Sequence, residues 1–71
     1  MKAEAVTFTA NGEQKTVRVP CSVAEFLTVS GWRITQVVVE CNGKVIPRGE
    51  LHRVGIRDGD RIEVIVPVAG G

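Results

Sequence analysis

Apolar and polar residues alternate along this chain with two different periods, and the changes of period mark its elements. From Val6 to Ala10 the order is Val-Thr-Phe-Thr-Ala, the pattern of a strand with one buried face. Asn11-Gly12 follows, a pair that accepts positive φ at both positions and so predicts a two-residue hairpin turn. Alternation resumes at Thr16-Val-Arg-Val19, with Val17 and Val19 on one face and Thr16 and Arg18 on the other. Pro20 closes this second strand, because it has no amide to contribute to a ladder.

The period then lengthens. Ser22-Val-Ala-Glu25 has the form of a capping box, in which the serine hydroxyl and the glutamate carboxylate satisfy each other's backbone amides. Val23, Phe26 and Leu27 fall on one face of the helix that this box opens. Gly31 predicts its stop, and Thr28, Val29 and Ser30 weaken its last turn. A helix of two to three turns does not stand alone in water, so it must lie on a sheet. Gln36–Cys41 is rich in β-branched residues and reads as a strand, turned back at Asn42-Gly43 into the short strand Lys44–Ile46 that Pro47 ends. Residues Arg48–Ile56 read as irregular, with one helical turn around Glu50–Arg53, and Asp58-Gly-Asp60 as a tight turn. Arg61–Val66 is the last strand, with Ile62, Val64 and Val66 on one face and Glu63 and Ile65 on the other. A hairpin that feeds a helix and then another strand allows a right-handed crossover, which puts the last strand parallel to the first in the middle of the sheet. The prediction is an α+β roll: one mixed sheet of four to five strands with one main helix across a face. Residues 1–66 form a single domain in this reading, and residues 67–71 form a flexible tail.

Composition narrows the functions such a domain can have. The net charge of +1 lacks the basic excess of a protein that binds nucleic acid by neutralising phosphates. Arg48, Arg53, Arg57 and Arg61 are interleaved with Glu50, Asp58, Asp60 and Glu63 and read as a solvated rim. Met1–Thr9 lacks the apolar core of a secretory signal, and no run approaches membrane-spanning length. Cys21 and Cys41 stand far apart without metal-ligand spacing, which suits a reducing cytoplasm. Cys21 reads as a staple against Phe26 at the helix entry, and Cys41 as a small core residue beside Val37 and Val39. The chain has one histidine (His52, read as a surface residue), no Ser/His/Asp set and no phosphate-cradling glycine loop, so no catalysis of its own is expected.

The sequence closes on Ala69-Gly70-Gly71, directly after Pro67-Val68. Glycines add nothing to a core, but a backbone without Cβ atoms can pass down a narrow channel and present a carboxylate at its far end. Pro67 to Gly71 spans on the order of 17 Å when fully extended. Gly71 is therefore the candidate working residue.

Four segments in order carry a family resemblance. Val37–Arg48 resembles the V-x-V-x-x-N-x-x-x-x-P-R run of the ThiS/MoaD family of ubiquitin-like sulfur carriers, with Asn42, Pro47 and Arg48 on its fixed positions. Ile56–Val64 resembles the family's D-G-D-x-[IV]-E-[IV] strand, Ser22–Leu27 its helix opening, and Gly70-Gly71 its end. Leu51 departs from the pattern, where tryptophan is frequent, and Pro67-Val-Ala-Gly-Gly71 is also similar to the MoaD tail. The shorter chain and helix favour the ThiS branch. The resemblance implies a β-grasp fold and a carboxylate on Gly71 that an E1-like adenylyltransferase activates with ATP and Mg. A persulfide sulfur donor then converts it to a thiocarboxylate for thiazole synthase, or, on the alternative MoaD branch, for the large subunit of molybdopterin synthase. It implies no cofactor on this chain, a monomer, and a tail of Pro67, Val68, Ala69, Gly70 and Gly71 threaded into the partner.

Such a carrier also needs a docking surface. Ile65 and Val38 are expected to face away from the helix and form one, with Val68 and Ala69 extending it. Two other classes remain open at this level: a ubiquitin-like modifier joined to lysines through Gly71, and an interaction domain whose tail is idle.

Overall fold

The Asn-Gly pairs turn the chain where the sequence predicts. In the computed structural model, which describes residues 4–68, Asn11 and Gly12 have φ of 51° and 82°, and Asn42 and Gly43 have φ of 54° and 86°. The first turn joins β1 (Glu4–Ala10) to β2 (Glu13–Val19), paired from Glu4↔Val19 to Ala10↔Glu13. Both strands are longer than their alternation suggested. Glu13, Gln14 and Lys15 are polar on both faces, and it is pairing with β1 that makes them strand.

Helix α1 (Val23–Val29) opens on the predicted capping box. Ser22 Oγ accepts from the Glu25 amide at 3.0 Å, and the Ser22 amide donates to Glu25 Oε1 at 2.9 Å. Its weak last turn is closed by the backbone. The Gly31 amide donates to the Thr28 carbonyl at 3.1 Å and the Trp32 amide to the Leu27 carbonyl at 2.9 Å, with Gly31 at a φ of 91°. This paired closure is the Schellman arrangement, and the positive φ is why the position suits glycine.

A 3₁₀ turn at Ile34–Gln36 precedes β3 (Val38–Cys41), so the strand starts two residues later than predicted. The Gln36 amide is spent on the Arg33 carbonyl at 2.9 Å. Strand β4 (Lys44–Ile46) returns, and β5 (Arg61–Ile65) ends the sheet, whose spatial order is β2-β1-β5-β3-β4. β5 lies parallel to β1 (Thr9↔Arg61, Ala10↔Ile62) and antiparallel to β3 (Val38↔Ile65 to Cys41↔Ile62). One helix across a five-stranded mixed sheet with its last strand central is the β-grasp roll. Val66 corrects the strand reading. The alternation puts it in the strand on the face of Ile62 and Val64, but it lies beyond β5 and is 55% exposed. β3 begins opposite Ile65, so no neighbouring strand reaches Val66.

The core lies between the sheet and α1. Phe8 from β1 meets Phe26 from α1 edge to face, with ring centroids 5.0 Å apart. Ile62, Val64, Val39, Val23 and Leu27 fill the same layer, and Cys21, Cys41 and Trp32 pack against its edge half-buried. The segment after β4 is more ordered than its composition suggests. Its Leu51 and Ile56 are buried, and its Leu51 and Val54 carbonyls accept from the Ala24 and Val23 amides at 3.0 and 2.9 Å. These amides of the first helical turn have no partner inside the helix, so the loop completes the helix N-terminus while plugging the core. Among the described residues no helix is long and apolar enough to cross a membrane.

Leu51 is 1% exposed although it belongs to no regular element. Leu51→Ala is therefore expected to lower unfolding free energy by about 2–5 kcal/mol, as much as Leu27→Ala in α1. Urea denaturation of the two variants measures both.

Candidate functional site: the tail exit and the open sheet face

Only the end of β5 leads to the tail, so what fixes β5 also fixes where the tail leaves. β1 cannot pair with β5 beyond Ala10, because the chain turns there. The side chain of Asn11 continues the ladder instead. Its Oδ1 accepts from the Val64 amide at 2.8 Å, and its Nδ2 donates to the Val64 carbonyl at 3.3 Å. The Asn11 amide donates to the Ile62 carbonyl at 2.9 Å. Asn42, in the other hairpin turn, holds the opposite end of β5. Its Oδ1 accepts from the Arg61 amide at 2.9 Å, and its own amide donates to the Arg61 carbonyl at 2.8 Å. From the sequence both asparagines read structurally as turn formers, and Asn42 also falls on a fixed position of the family pattern. Aspartate serves such a turn equally well but cannot donate to a carbonyl, so the amide at Asn11 was the available signal for its second role.

Past β5 the chain comes free of the body. Val66, Pro67 and Val68 are exposed, Val68 at 92%. The predicted sulfur-bearing Gly71, with Gly70 and Ala69, lies outside the described residues.

The predicted docking residues come together: Val38 and Ile65 are direct cross-strand partners. Val38 is half-buried and Ile65 is 43% exposed. Val45 of β4, which sequence reasoning did not select, joins the same face opposite Glu40 and is 59% exposed. Its place there depends on the β3–β4 register.

Elsewhere the polar groups serve the fold. Asp58 Oδ1 accepts from the Thr7 amide at 3.0 Å, and Asp60 Oδ2 from the Arg57 amide at 2.8 Å, so the Asp58-Gly-Asp60 carboxylates shape a turn. Among the described residues no three His, Cys, Asp or Glu side chains gather as a metal site. Arg48, Arg53, Arg57 and Arg61 are exposed, as is His52. Both thiols are free and half-buried. Burial, helped by the charge of Glu25, raises the Cys21 pKa above its ordinary 9.0. Burial and Asp60 raise that of Cys41, against a smaller opposing pull from Arg57. Such thiols stay protonated near neutral pH and are weak nucleophiles.

The ThiS family's sequence model matches residues 3–71. The chain belongs to the ThiS family. The crystal structure of the thiamine biosynthesis protein ThiS from Geobacter metallireducens superposes on this ThiS-family chain with a TM-score of 0.79 at 30% identity. That match covers 93% of this chain and 100% of the other. The solution structure of a thiamine biosynthesis protein from the same organism gives a TM-score of 0.72, again at 30% identity, over 93% of this chain and 88% of the other. A thiazole synthase of Paramagnetospirillum magneticum is 30% identical over 61 residues, which are 86% of this chain but 19% of that much longer protein.

Asn11→Gly keeps the positive φ that the turn needs and removes both side-chain bonds to Val64. Amide hydrogen exchange should then accelerate at Val64 with little change at Phe8, and stability should fall by about 1–3 kcal/mol. For the thiols, alkylation by iodoacetamide should be slow at pH 7 and accelerate as pH rises past 9, the ordinary value above which both lie.

Proposed function

We propose that this chain is a sulfur carrier of thiamine biosynthesis, with Gly71 as the residue that carries sulfur and residues 67–71 as a tail on a body formed by residues 1–66. One observation carries the reading. In a ThiS-family chain, the central strand ends at Ile65, and the exposed residues Val66, Pro67 and Val68 lead straight into Ala69-Gly70-Gly71.

A carboxylate is a poor electrophile, so the chemistry begins in a partner. An E1-like adenylyltransferase using ATP and Mg lets a carboxylate oxygen of Gly71 attack the α-phosphorus, and pyrophosphate leaves. The terminal sulfur of a persulfide donor then attacks the acyl carbon and AMP leaves. A further thiol cleaves the resulting sulfur–sulfur bond, which leaves a thiocarboxylate on Gly71 and a disulfide on the donor. The sulfur is now a nucleophile that thiazole synthase accepts. The similarity of this chain to a stretch of a protein named thiazole synthase supports that acceptor.

This chain contributes the carboxylate, a tail narrow enough to reach it, and a surface that docks. Gly70 and Gly71 let the backbone enter a tight channel, Pro67 stiffens the start of the tail, and Val68 and Ala69 follow it in. Val38 and Ile65 form the docking patch beside the exit. The partner's water-excluded site supplies positioning and electrostatic stabilisation. Burial keeps Cys21 and Cys41 as thiols near neutral pH.

Intact-mass spectrometry after incubation with the activating enzyme, ATP, Mg and a persulfide donor tests the proposal. The chain should become heavier by the difference between sulfur and oxygen. Gly70→Ala should melt as the unsubstituted chain does, yet charge slower by on the order of a hundredfold. Conjugates on other proteins in place of the thiocarboxylate would overturn the carrier reading in favour of a modifier.

A further inference from the structure

One pairing on the open sheet face sets two like charges opposite each other. Glu40 of β3 and Glu63 of β5 are direct cross-strand partners. Alternation turns both away from the core, since Val39, Ile62 and Val64 beside them are buried. Like charges in this relation destabilise a sheet. Among the described residues neither carboxylate closes an ion pair. Among the described residues the ion pair within 4.0 Å is Lys15–Glu13 on another strand, at 3.3 Å. Arg61 stands two residues before Glu63 on the same face of β5 without closing on it.

Away from Arg61 the neighbours of the pair are apolar. Val38↔Ile65 is the next outward-facing pair along the two strands, and Val45 lies opposite Glu40 on β4. Glu63 is exposed and Glu40 half-buried, so water still reaches and screens the pair and the free domain tolerates it. A partner that covers the valines and the isoleucine also strips water from both acids. An apolar or acidic surface would leave them buried and unpaired, which opposes binding. A guanidinium fits instead. Its planar fork has donors on more than one edge, so a single arginine can serve both carboxylates at once.

We propose that the open face recognises a protein surface in which one arginine is ringed by apolar side chains, the arginine seating between Glu40 and Glu63 and the apolar ring covering Val38, Val45 and Ile65. This rests on the carrier reading and specifies the chemistry of the partner's side. It also explains the mismatch: the pair is unfavourable in the free domain and becomes complementary on docking.

The test sets two opposite effects against each other. Glu40→Gln and Glu63→Gln should each raise the melting temperature of the free chain by about 2–5 °C at low salt, as relief of a like-charge pair does. The gain should shrink at high salt. The same variants should bind the activating enzyme, measured by calorimetry, roughly tenfold or more weakly. A variant that gains stability and loses affinity cannot be acting through damage to the fold. An unchanged or lowered melting temperature would overturn the inference, and so would unchanged affinity. Two other occupants are covered by the same variants: stabilisation of the unsubstituted chain by Mg²⁺ or Ca²⁺ that Glu63→Gln abolishes, or a self-association in sedimentation that the glutamines abolish, would each overturn it. Failure of the carrier reading looks different, because the unsubstituted chain itself would then neither bind the enzyme nor be charged.

Discussion

Strand β5 is the last regular element in the chain and the central one in space, and most of the molecule follows from that coincidence. The strand that comes last in sequence lies between β1 and β3. Ile62 and Val64 then close the core under α1. Because β5 is fixed on both sides, with hairpin asparagines at both ends, the residues after Ile65 leave from a rigid point. The same strand seals the hydrophobic layer and sets the origin of the tail.

A division of labour follows. The buried apolar side chains of the sheet and α1 are committed to each other, and the acidic turn 58–60 binds backbone amides. The two thiols are kept protonated by burial. One sheet face, with Val45 and Ile65 exposed on it, and the exposed residues 66–68 beyond it stay open to other molecules. Glu40 opposite Glu63 lies on this open face, outside the core packing, so two like charges can stand opposite each other there.

Much of this was legible in the residues themselves. The Asn-Gly turns, the Ser22–Glu25 box and the alternation of β1 and β5 are local signals, and each gave its element to within a few residues. What escaped depends on pairing between distant segments. Val66 alternates correctly, but no neighbouring strand reaches it. Leu51 and Ile56 sit in a stretch without periodicity, and their burial follows from where the loop crosses the helix N-terminus. The second role of Asn11 joins residues 53 positions apart. The opposition of the two glutamates, and the place of Val45, exist only once the β3–β5 and β3–β4 registers are set. At the candidate site, the shared face of Val38 and Ile65 was readable because parity along each strand assigns it, whereas their direct cross-strand pairing was not.

The central claim is that the body folds without the tail and works only through it. The most direct measurement is a chain lacking residues 67–71, compared with the full chain in thermal unfolding and in ATP-dependent charging by the activating enzyme. The account predicts an unchanged unfolding midpoint together with complete loss of charging. A large fall in the midpoint, or a truncated chain that still takes up sulfur, would contradict it.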